Sequence, residues 1–276
     1  MSAEDMSFWD HLEELRWTLM RSIIALVLFA IVGFCFMPWI FDHIVMAPCR
    51  SDFFLYNLMC KVSKSVSFLP DFCDDNAAIH LINIKLASQF FTHMSMSFWF
   101  ALILACPYLL FEVWLFIRPA LYENEKKNVR WVFLFGSVMF FMGCMVGYGM
   151  VFPMTLRFLY AYHLSDQINN QLSLDSYIDN FVTMIWVMGL VFEMPLISWM
   201  LSKIGLLKKS FFRKYRRYAI VILLIAAAVI TPSSDPFTLS IVFFPLYLLY
   251  ELSAIFVRED DPVEADEISK DAAVTN

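Results

Sequence analysis

The sequence predicts an all-α polytopic membrane protein of six transmembrane helices, and composition and the spacing of charge carry that prediction. Of 276 residues, 60% are hydrophobic and only 17% are charged, whereas soluble domains are about 45–50% apolar and about 25% charged. The apolar residues also fall into nearly uncharged runs of the length that a helix needs to cross a hydrocarbon core, roughly 20 residues. An ordinary soluble enzyme is excluded on this balance, and so is a disordered chain, which would need the opposite one. A net charge of −6 argues against nucleic acid as a partner.

The six spans fall at residues 22–41, 86–117, 131–153, 181–202, 218–231 and 237–257. The fourth is interrupted in mid-span by Glu193, and Glu251 stands near the end of the sixth. The fifth has 14 residues before Pro232 stops it. At 1.5 Å per residue that is about 21 Å, short of a core about 30 Å thick. The sixth has only 14 uncharged residues, 237–250, before Glu251. Two neighbouring short helices would thin the bilayer beside them. Alternatively their flanking Tyr218, Thr231 and Glu251 simply sit at the interface.

Lysine and arginine set the orientation. With the N-terminus in the cytoplasm, the inside segments collect fifteen of the 20 Lys and Arg residues, which gives N-in and C-in by the positive-inside rule. Residues 258–276 hold two basic and seven acidic residues and read as an acidic, disordered cytoplasmic tail. Residues 1–257 then form one six-span domain. Glu4, Asp5, Asp10, Glu13 and Glu14 near the N-terminus, with no basic stretch before an apolar one, predict no cleavable signal peptide. Residues 1–21 instead predict an amphipathic helix at the cytoplasmic surface, started by Ser7 and Asp10. Phe8, Leu12, Leu15 and Leu19 share one face of it, and Asp10, Glu14, Trp17 and Arg21 another.

Catalytic and metal motifs are absent: no His-Glu-x-x-His, no glycine-rich phosphate loop and no nucleophile elbow. No cofactor is expected, and the chain reads as a binding or translocating protein rather than an enzyme. His93 alone lies inside a span, where a satisfied packing role is the commoner one. Glu193 is a functional candidate because a charge at that depth costs several kcal/mol unless it faces a cavity or a partner. Its alternative is a neutral, hydrogen-bonded side chain. Glu14, Glu123 and Glu125 lie at an otherwise basic boundary. Carboxylates there suit guanidinium groups, which they bind bidentately, but Glu123 and Glu125 could equally pair with Lys126, Lys127 or Arg130. Cys49, Cys60 and Cys73 share the first outer loop, in an oxidising compartment if the orientation is right. A Cys60–Cys73 disulfide closing a short loop is preferred, against three free thiols.

The segment Phe8-Trp9-Asp10-His11-Leu12-Glu13-Glu14-Leu15-Arg16 resembles the opening of the TatC family, the polytopic subunit of the twin-arginine protein translocase. The resemblance continues through Met46-Ala47-Pro48, residues 111–127, Val151-Phe152-Pro153, residues 191–195, Ile230-Thr231-Pro232, residues 234–237 and Leu249-Tyr250-Glu251. It implies a glove-like, concave bundle in the cytoplasmic (inner) membrane that exports folded proteins using the proton motive force. It also implies docking of twin-arginine signal peptides at Glu14, Arg16, Phe116 and Glu125. Glu193 would be a polar site on a concave face open to water. Pro48, Asp235, Phe237 and Glu251 would belong to the outer-face and partner-helix region, where TatA- and TatB-like single-span subunits pack on short spans five and six. A homo-oligomer within a larger complex is the implied assembly. Two positions depart from the family pattern: Thr18 replaces a second basic residue, and Leu239 a glutamine, so a polar partner contact at 239 does not carry over. The rival reading is a proton-coupled small-solute transporter with Glu193 as its proton site. Such folds often carry internal repeats and matched Gly/Pro breaks, and neither is evident here.

Overall fold

The computed structural model describes residues 8–51, 53–56, 60, 79–117, 129–162, 165, 170–203, 207–232 and 235–257. Helix α1 (Phe8–Ile40) runs for 33 residues. The amphipathic stretch therefore continues into the first span as one helix, while Ser7, its expected start, lies outside the described residues. Pro38 sits inside α1 and has no N–H, so the carbonyl of Phe34 loses its helical donor. His93 replaces it: Nε2 lies 3.0 Å from Phe34 O, and the imidazole stacks on the Phe34 ring with centroids 4.2 Å apart. A carbonyl oxygen only accepts, so Nε2 carries the hydrogen. The lone intramembrane histidine is thus a satisfied packing residue.

After Ile40 the chain passes through one turn of π-helix (Phe41–Val45) and one of 3₁₀-helix (Ala47–Cys49). Carbonyls at the end of a helix have no intrahelical partner. Three tyrosine hydroxyls from elsewhere in the chain supply donors here. Tyr148 donates to Ile44 O (3.0 Å), Tyr56 to Pro48 O (2.7 Å) and the buried Tyr177 to Val45 O.

Strand β1 (Leu81–Ile82) pairs in parallel with β2 (Leu172–Ser173), a two-residue element that the apolar pattern did not reveal. Helix α2 (Ser88–Ile117) packs along α1 more extensively than any other pair of elements. Its start is tied to the N-terminal end of α5 (Leu174–Phe192): Ser88 donates to Asp175, whose carboxylate lies 2.9 Å from Lys85 Nζ. That carboxylate holds the Lys85 ammonium above its ordinary pKa. Helix α3 (Val129–Val146) passes through a π-turn (Gly147–Val151) into α4 (Phe152–Ala161), with Pro153 in its first turn. The third helical stretch therefore continues beyond residue 153 to Ala161.

Helices α3 and α5 touch through reciprocal glycines, as apolar helices do when small residues let backbones approach. A Cβ on Gly143 would fall 2.6 Å from Met188 O, and one on Gly189 would fall 2.7 Å from Cys144 Sγ. Phe140, Met184 and Met188 are fully enclosed beside this contact.

Beyond α5 come α6 (Met194–Lys203), α7 (Lys209–Lys214), α8 (Arg216–Ile230) and α9 (Pro236–Phe256). Among the described residues, five helical stretches are long and apolar enough to cross a membrane. Helix α8, the expected fifth span, has 15 residues, or about 22 Å of rise. Its Val221, Ile222, Ile225 and Val229 point outward.

Candidate functional site

At one end of the bundle the N-terminal half of α1 lies against the C-terminal end of α2. Glu14, Thr18 and Arg21 follow at i, i+4 and i+7, on one helical face. Glu14 is half-buried, Arg16 exposed and Thr18 buried. Across from them Glu112 is 3% exposed, four residues before Phe116 in α2. Tyr108, one turn earlier, donates to Glu112 Oε1 at 2.7 Å. Arg21 Nη2 stands 3.5 Å from Oε2, which accepts no hydrogen bond from a described residue. The structure thus brings Glu14 and the last turn of α2, which contains Phe116, to neighbouring helix ends. Glu125 lies outside the described residues.

Glu193 occupies the joint between α5 and α6. Pro195 cannot donate to Val191 O, and the chain tightens: Glu193 N donates to Leu190 O at 3.1 Å before Ile197 N resumes the helix on Glu193 O at 2.9 Å. The tightened turn aims the carboxylate at Gly136 of α3, where an added Cβ would stand 3.3 Å from Oε2. The side chain is 4% exposed, and neither oxygen accepts a hydrogen bond from a described residue. The expectation places Glu193 on a concave face open to water; here the carboxylate is enclosed, beside the Leu196 side chain, whose Cδ2 comes nearest to Gly136 at 2.6 Å from the same Cβ.

Residues 10–245 match the model of the family described as Sec-independent protein translocase protein (TatC). The chain belongs to the TatC family. It is 35% identical over 254 residues to the TatC protein of Blattabacterium sp. subsp. Periplaneta americana, covering 90% of this chain and 94% of that one. It is 32% identical over 259 residues to that of Campylobacter jejuni, covering 94% and 96%. A crystal structure of a TatC twin-arginine translocase receptor superposes with a TM-score of 0.69 at 30% identity, over 89% of this chain and 97% of that one. A second, in the detergent DDM, gives 0.71 at 29% identity over 90% and 99%. The chain is therefore a polytopic helical membrane protein and a component of the Sec-independent translocase, not the small-solute transporter of the rival reading.

The remaining positions implied by the TatC resemblance separate in space. Pro48 is buried under Tyr56, against whose ring the buried Arg157 guanidinium stacks at 4.1 Å. Asp235 caps α9, accepting from Phe237 N (3.1 Å) and Thr238 N (2.9 Å). Phe237 stacks on Phe158 of α4 with centroids 4.5 Å apart. Leu239 packs against the hydrophobic core. Glu251 lies elsewhere on α9. It stands near the far end of α9, paired with Arg216 at 2.6 Å, and Arg216 also donates to the Tyr247 hydroxyl at 2.9 Å. Sixteen residues of helix separate Asp235 from Glu251, about 24 Å, so the two stand at opposite ends of α9.

Cys35, Cys49, Cys106 and Cys144 are free thiols, and all but Cys35 are buried. Cys60 is disulfide-bonded, and Cys73 lies outside the described residues. Sequence reasoning missed Glu112 as a separate buried carboxylate, because it lies within a family block where it counted only as part of a motif. The signal was present: an acidic residue inside an apolar run, with Arg21 bounding the neighbouring span.

Proposed function

We propose that this TatC family member is the receptor of its translocase for twin-arginine signal peptides, with Glu14, Arg16, Phe116 and Glu125 as the docking residues. The observation that carries the reading is the Arg21–Glu112 contact, 3.5 Å across the α1–α2 boundary. It marks where the helix ends bearing Glu14 and Phe116 lie side by side, joined by the packing of α2 along α1. Two adjacent guanidiniums present a fixed donor array that suits carboxylates and that lysine cannot copy. In this reading the chain crosses the cytoplasmic membrane six times, α8 being the fifth span, with both termini in the cytoplasm. The bundle is a glove-like domain over residues 1–257, followed by an acidic tail, 258–276.

TatA- and TatB-like single-span subunits pack on the outward apolar face of α8 and on α9, and copies of the chain assemble within that complex. The proton motive force drives export of the folded cargo. Cys60 pairs with Cys73; support comes from its being disulfide-bonded while four of the other cysteines are free.

The test is the affinity of a labelled signal peptide for the detergent-solubilised chain. Glu14→Ala/Glu125→Ala should weaken binding at least about tenfold, the loss of one charge-assisted hydrogen bond, while circular dichroism stays unchanged. Undiminished affinity would remove the assignment.

A further inference from the structure

We infer that Glu112 is a third guanidinium-binding carboxylate of the peptide site, occupied here by Arg21 as an internal stand-in for an arginine of the peptide. The inference rests on the docking reading above and adds to it a residue and an exchange.

The two oxygens of Glu112 are treated differently. Oε1 accepts from Tyr108 at 2.7 Å, which fixes the carboxylate in place. Oε2 is enclosed but accepts no hydrogen bond from a described residue. Arg21 neutralises the group without satisfying it. Its Nη2 is 3.5 Å away and its side chain is 45% exposed, whereas a charge-assisted pair closes to about 2.7–2.9 Å and is often bidentate. A latch evolved only to join α1 to α2 would be expected to close that distance, because a buried acceptor left unmade is costly.

A second unpartnered oxygen lies on α1. Thr18 Oγ1 is buried with no hydrogen-bond partner among the described residues, three positions from Arg21 and four from Glu14 on the same helical face. Glu14 and Thr18 on α1 and Glu112 on α2 thus offer acceptors along the seam between the two helices. A guanidinium offers five N–H donors in a planar fork, the group that such a seam can satisfy. An ammonium is a compact point charge and fits it less well. When a peptide guanidinium takes Glu112 Oε2, Arg21 moves into solvent. One ion pair replaces another, so the exchange needs no proton and leaves no buried charge unpaired.

Arg21 is then a competitor, and removing it should strengthen binding. The experiment uses the full chain in detergent, a fluorescent signal peptide with Arg-Arg, and the same peptide with Lys-Lys. Arg21→Gln should raise affinity for the Arg-Arg peptide about threefold to tenfold, and Arg21→Lys should shift it less in the same direction. Glu112→Gln should lower affinity about tenfold. In the Glu112→Gln background, Arg21→Gln should change nothing, since the pair it breaks no longer exists. Affinity that falls or stays level in both Arg21 variants overturns the inference, as does unchanged affinity in Glu112→Gln. If Arg21→Gln fails to fold, the affinity of Arg21→Lys decides. Failure of the docking reading looks different: the unmodified chain then binds the two peptides equally or not at all.

Discussion

Pro195 decides what surrounds Glu193. Because it cannot donate to Val191 O, the helix tightens at Glu193 and turns the carboxylate toward Gly136 of α3, beside the Leu196 side chain. The carboxylate finds no donor there among the described residues, and a charge so placed costs several kcal/mol. Glu193→Gln keeps the shape and removes the charge, so its thermal midpoint in micelles should equal or exceed that of the unmodified chain. Glu193→Ala leaves a void against Gly136 and should cost about 2 kcal/mol. Both should bind signal peptide normally, since the proposed docking residues Glu14, Arg16 and Phe116 lie on α1 and α2, away from Glu193. A glutamine variant as unstable as the alanine one would mean that the carboxylate makes an ionic contact. The same logic at Pro38 has the opposite outcome. There the orphaned carbonyl of Phe34 is met by His93, so one proline yields a repaired helix and the other a buried acid.

The helix contacts depend on where side chains are missing. Gly143 faces the backbone oxygen of Met188, with 2.6 Å left for a Cβ, whereas Gly149 faces only the tip of the Phe54 ring, at 3.3 Å. Gly143→Ala should therefore cost about 1–3 kcal/mol, the usual cost of overpacking. Gly149→Ala should stay within about 0.5 kcal/mol, because an aromatic tip can shift and a helix backbone cannot. Equal losses in thermal unfolding would contradict this picture of the α3–α5 contact. Apolar runs in the sequence are enough to locate these helices, because the bilayer demands length and lack of charge. They say nothing about the break at Glu193 or the tyrosine donors at the end of α1. Those arise from contacts between residues as distant as Val45 and Tyr177, which periodicity does not record. The short β1–β2 pairing was invisible for the same reason.

Polar side chains gather at both ends of the bundle, with Glu193 between them and the buried Thr155 and Arg157 on α4 near the Pro48 end. Asp235 and the carbonyls near Pro48 tie helix ends together, with local partners that account for them. Thr18 and Glu112 at the other end, beside Glu14, retain acceptor capacity that the described residues do not use up. Sequence blocks proposed Glu14 and Phe116 for one site, and the helices that bear them pack against each other. They did not reveal Glu112, because burial and the Arg21 distance exist only in three dimensions. The most direct test of the receptor reading is cross-linking in inverted membrane vesicles, with a photoreactive residue placed beside the arginine pair of a signal peptide. Docking at the α1–α2 end predicts adducts on the α1 segment bearing Glu14 and Arg16, lost when the peptide carries Lys-Lys. Equal adducts with both peptides, or adducts confined to the Pro48 and Asp235 end, would contradict it.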